Sequence, residues 1–138
     1  MTNRLRVPFA ATLLSTCGLL IPAASALSAA TPVRISDCGT LKVAPKSIVI
    51  SCADANRSIT GISWTNWGAA TAVGKGMLTW NTCTPTCVSG TYRHVSLTFR
   101  AIRRVTRGTT TYYSTLSGPS GSFGTKGTTW ALATPTAG

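Results

Sequence analysis

Apolar and polar positions alternate with a period of two along several short stretches of this chain. Turn residues cut these stretches apart. The clearest stretch is 92–104. Val95, Leu97, Phe99 and Ala101 share one face, and Tyr92, His94, Ser96, Thr98 and Arg100 share the other. A half-buried β-strand has this period. Residues 106–109 read as a hairpin turn and 110–116 as the returning strand. Upstream, 46–52 is a β-branched strand signal and 53–56 a turn. In 60–66, Ile62 and Trp64 share a face. Residues 69–80 carry Gly74 and Gly76 inside a strand pattern, which predicts a bulge or a close backbone approach. Residues 81–90 form a loop, 118–127 a Gly/Ser loop, and 128–133 a short last strand. About six short strands predict an all-β fold, a small sandwich or barrel.

The N-terminus follows another pattern. Arg4 and Arg6 precede an apolar run from Val7 to Ile21, Pro22 ends it, and Ala24-Ser25-Ala26 forms an A-x-A site. Residues 1–26 therefore read as a secretory signal peptide. Residues 27–36 read as a flexible lead-in, and 37–138 as a single secreted β domain. A lipoprotein reading would use Leu14-Ser15-Thr16-Cys17 as its acylation box. Thr16 is bulky for that role, and the apolar run continues past Cys17. The uninterrupted apolar span falls short of the roughly 20 residues of a membrane helix. No second hydrophobic segment follows, so the mature chain is expected to lack a transmembrane segment.

Removal of the signal peptide leaves Cys38, Cys52, Cys83 and Cys87. Four cysteines in a short exported domain predict two disulfides. Of the three pairings, Cys38–Cys52 with Cys83–Cys87 is favoured, because each bridge closes a local loop. A zinc site of four thiolates is the alternative. The wide first spacing and export argue against it.

Composition narrows the chemistry. The 138 residues include 13 Lys+Arg, 2 Asp+Glu and 1 His, a formal charge of +11. There is no Glu and no Gln, which disfavours a helical bundle. A Ser-His-Asp site would need His94 with Asp37 or Asp54, and no G-x-S-x-G elbow is present. Asp37 and Asp54 flank the first expected disulfide. They read more simply as an ion-pair partner and a turn cap than as paired catalytic carboxylates. No catalytic residue and no cofactor are expected.

An ordered set of motifs carries a resemblance: Cys52-Ala53-Asp54-Ala55-Asn56, Ile62-x-Trp64-x-x-Trp67-Gly68, Ala72-x-Gly74-x-Gly76, and Cys83-x-Pro85-x-Cys87-x-x-Gly90. Over roughly residues 37–99 the chain resembles a family of small secreted four-cysteine proteins of high-GC Gram-positive bacteria without an assigned activity. The resemblance implies export and the four-cysteine frame, and supplies no catalytic residues. Residues 100–107 lie outside it.

Two features remain as candidate binding sites. Arg100, Arg103, Arg104 and Arg107 form the densest basic run, next to Tyr112 and Tyr113. Strict alternation places Arg100 and Arg104 on one side and Arg93 and Arg103 on the other. Guanidinium forks suit phosphate and carboxylate partners. Trp67, followed by Gly68, is the tryptophan best placed for exposure and the candidate for ligand stacking, although packing in or beside the core is the favoured reading for the tryptophans and for Trp64 above all. The expected function is a secreted, non-catalytic binding protein acting at or near the anionic cell envelope, on a wall polymer or another polyanion. The alternative is an inhibitor or toxin-like effector that meets a protein target through a disulfide-closed loop. Neither the ligand nor the oligomeric state is legible in the sequence.

Overall fold

The computed structural model describes residues 31–124 and 127–136. The expected signal peptide, the start of the lead-in and both chain ends lie outside the described residues. The fold is all-β. Its eight strands are β1 (Arg34–Asp37), β2 (Thr40–Lys42), β3 (Ile48–Val49), β4 (Arg57–Thr65), β5 (Ala72–Asn81), β6 (Tyr92–Arg107), β7 (Thr110–Ser117) and β8 (Thr129–Ala131). They form one mixed sheet in the order β2-β1-β7-β6-β5-β4-β3, with β8 also paired to β7. Only β1 and β7 run parallel among these pairs. The sheet curls into a half-barrel. It is a single layer wrapped on itself, where a sandwich would have two facing sheets.

Curling places one face inside. Ile35, Ile48, Ile59, Ile62, Leu78, Phe99, Tyr113 and Leu116 pack there, each 2% exposed or less. Each such side chain stabilises the fold by roughly 1.5–3 kcal/mol relative to full exposure. Ile59 and Ile62 are three apart yet both face inward, which strict alternation forbids. A β-bulge between Thr60 and Ser63 resolves the conflict, with Gly61 at φ 61°. The glycines of β5 lie opposite. A Cβ on Gly74 would sit 2.5 Å from the Phe99 ring, and one on Gly76 would sit 2.8 Å from both Ile59 and the Thr60 carbonyl. Of the two readings of Gly74 and Gly76, the close backbone approach is the one present on β5; the bulge lies on the neighbouring β4, where none was expected.

One expectation about these elements needs correction. The lead-in 27–36 is not flexible throughout: Val33 is buried and β1 starts at Arg34, because Val33 and Ile35 alternate into the core. Val95 shares the face of Leu97, Phe99 and Ala101 as expected, but is 46% exposed although its cross-strand partner Leu78 is 2% exposed. The expected Gly/Ser loop follows β7, and Phe123 anchors its described part, being 1% exposed and lying over Gly118.

Both predicted disulfides are present. Cys38–Cys52 joins the segment after β1 to the segment after β3, and Cys83–Cys87 closes the loop after β5. Since β1 and β3 lie toward opposite ends of the strand order, the first bridge draws the sheet ends together. A loop of this size stabilises by roughly 3 kcal/mol in the chain-entropy model.

Candidate functional site

The β6–β7 hairpin carries the arginine run. Ala72 pairs with Ala101, and beyond that point β6 pairs only with β7, so the hairpin outruns β5. The turn is the two-residue Gly108-Thr109, with Gly108 at φ 55°. Arg100 pairs with Ser117 on the outer face, next to the buried Ala101 and Leu116. Alternation then breaks at Arg103, whose φ is 57°, while its carbonyl accepts the Ser114 hydroxyl at 2.9 Å. The register is unchanged on either side. As a result Arg104 pairs with the core residue Tyr113 and shares its face.

Arg100 and Arg104 therefore lie on opposite faces, contrary to the sequence expectation. Arg104 donates through Nη1 to the Gly68 carbonyl at 3.0 Å, and the Tyr113 hydroxyl donates to Ala69 O at 2.7 Å. Arg104 is thus engaged in tying the hairpin to the β4–β5 turn. Arg100, Arg103 and Arg107 are exposed, with no side-chain partner among the described residues.

Trp67 follows the favoured packing reading and offers no open stacking platform. It is half-buried, 4.7 Å from Trp64 and 5.4 Å from Tyr113 between ring centroids, and its indole N–H donates to Val33 O at 2.9 Å. Trp64 meets Phe99 edge-on at 5.2 Å. Both rings belong to the packing at the edge of the core.

The carboxylates are occupied. Asp37 pairs with Lys42 and accepts Val49 N–H at 2.8 Å. Asp54 accepts Asn56 N–H at 3.0 Å within its turn. His94 Nδ1 lies 3.0 Å from the Thr79 hydroxyl on the outer face. Among the described residues no group of three or more His, Cys, Asp or Glu could hold a metal ion. Nor is any helix among them long and apolar enough to cross a membrane.

The Cys83–Cys87 loop has an internal frame that the sequence reading missed. Asn81, 9% exposed, donates to Cys87 O at 2.7 Å and accepts Cys83 N–H at 2.9 Å. Asn56 Oδ1 in turn accepts Asn81 N–H at 2.9 Å. Val88, 99% exposed, follows the bridge. An asparagine two positions before the first cysteine was the available signal.

A second missed group lies on the inner face. Arg57 pairs with Trp80, and Trp80 with Arg93, so the three form one row across β4, β5 and β6. The Arg57 guanidinium sits 5.3 Å from the Trp80 ring centroid and donates to Ser122 O at 2.8 Å. Burial lowers the Arg57 pKa below its usual value. An apolar groove of about 310 Å³ lies elsewhere, between the Cys38–Cys52 bridge and residues 130–133. The chain matches no protein-family model, no curated protein and no solved structure.

Proposed function

We propose that this protein is an exported, non-catalytic binding module that engages anionic polymer of the cell envelope through its projecting hairpin. The observation that carries this reading is that Arg100, Arg103 and Arg107 stand exposed on the β6–β7 hairpin without a carboxylate partner among the described residues. Neither aspartate is placed to neutralise them, since Asp37 pairs with Lys42 and Asp54 binds its own turn. Unpaired guanidinium forks on one ribbon suit repeated phosphates or carboxylates. The two disulfides suit an oxidising compartment, as the resemblance also implies.

Titration with inorganic polyphosphate at several salt concentrations tests the reading. Affinity should fall steeply with salt, because released counterions drive the binding. The double variant Arg103→Asn with Arg107→Ser should lose far more affinity than Lys46→Ser with Lys75→Ser, which removes equal charge. Equal losses would reduce the charge to a solubility feature.

A second reading rests on Val88. An almost fully exposed apolar side chain beside a disulfide-closed, internally hydrogen-bonded loop suits insertion into a protein pocket. That binding would survive high salt and be lost on Val88→Asp.

A further inference from the structure

The row Arg57, Trp80 and Arg93 joins two kinds of recognition chemistry on one cross-strand register of β4, β5 and β6. Arg57 is fixed from two sides, by the Trp80 ring and by Ser122 O. These two contacts orient its guanidinium across the row. Trp80 is half-buried, packed against the core on one side and against Arg57. On its other flank lies Arg93, exposed and without a partner among the described residues. Next inward along the same face comes Val95, 46% exposed although its cross-strand neighbour Leu78 is 2% exposed. The inner face is thus covered on the Arg57 side and open on the Arg93 side. One guanidinium lies over the indole there, a second arginine is its register neighbour on β6, and the exposed Val95 stands beside them.

We infer that this row binds one anionic sugar unit of a polymer, a pyranose ring bearing a carboxylate. Charge complementarity argues for the anion: two guanidiniums share the row, and no carboxylate bonds to either among the described residues. The indole and Val95 argue for the ring, since the C–H face of a sugar packs on apolar and aromatic surface that a bare phosphate chain cannot use. The site is separate from the hairpin ribbon, which has charge but no such aromatic shelf. The inference deepens the proposed function and rests on it for the anionic nature of the ligand. It replaces a diffuse preference for polyanions with a defined unit.

The test uses 5-fluorotryptophan-labelled protein, with the Trp80 ¹⁹F resonance assigned through Trp80→Phe. Trigalacturonate should shift that resonance, whereas maltotriose and tripolyphosphate should leave it in place. Arg93→Ser, at an exposed site, should weaken trigalacturonate binding about tenfold, the loss expected for charge-assisted hydrogen bonds. The Lys46→Ser, Lys75→Ser variant, which removes charge outside both sites, should bind trigalacturonate as the parent does. An unmoved Trp80 resonance, an unaffected Arg93→Ser variant, or an equal response to tripolyphosphate would overturn the inference. Polyphosphate binding that still depends on the hairpin would then leave the broader reading standing.

Discussion

The carboxylate of Asp37 accepts the backbone N–H of Val49 at 2.8 Å, although their strands, β1 and β3, are not ladder partners. A side chain here does what a further strand pairing would do in a closed barrel. The half-barrel has an edge at β3, and an unpaired edge N–H is a liability. Asp37 covers one such group, Lys42 neutralises the carboxylate, and Cys38–Cys52 locks the adjoining residues.

The seam should therefore be sensitive to Asp37. Asp37→Ala leaves the Val49 N–H without its acceptor and Lys42 without its partner. The expected loss is about 2 kcal/mol, the usual scale for an orphaned, partly buried donor. Asp37→Asn keeps an acceptor oxygen and should lose about half as much. Urea denaturation of the disulfide-intact proteins measures both. Equal losses would mean that charge alone, through Lys42, holds the seam.

Much of the architecture was legible because local pattern and global fold agree. Leu97, Phe99 and Ala101 alternate into the core, Gly108 marks the hairpin turn, and the cysteines pair by proximity. The errors come from places where alternation is broken by backbone geometry. A bulge at Gly61 falls on β4, where none was expected, and the positive φ at Arg103 sends Arg104 to the face of Tyr113. Period-two reading carries no signal of either event. Val33 and Ile35 were hidden by brevity, as β1 is 4 residues long. The row Arg57, Trp80 and Arg93 could not be read at all without strand register, because three distant segments supply it.

Gly74 tests how tightly Phe99 lies on the sheet. An added Cβ would meet Cζ of that ring at 2.5 Å and Cε1 at 2.7 Å. A buried ring has little room to retreat, so Gly74→Ala should cost about 1–3 kcal/mol through overpacking. Phe99→Leu alone should also destabilise, by leaving a cavity. Combined, the two changes should cost less than their sum, because the smaller side chain makes room for the methyl group. A thermal-denaturation double-mutant cycle measures the coupling. Additive losses would show that the Gly74 position is limited by something other than the ring.

Arg103 holds a left-handed φ of 57° in the middle of β6, a conformation in which a long side chain has no steric advantage. Asparagine tolerates that region better than arginine. Arg103→Asn should therefore raise stability by about 0.5 kcal/mol, or roughly 2–4 °C in midpoint for a domain of this size. Arg103→Ala removes the same charge without that relief and should gain nothing. Under the proposed function both variants should weaken polyphosphate binding equally, since both lose the same guanidinium. Stability and binding would then separate: one variant gains the first, and both lose the second. Such a split would mark the arginine as kept for its ligand at a backbone cost. Equal stability of the two variants would remove the strain argument, and undiminished binding would take Arg103 out of the hairpin site.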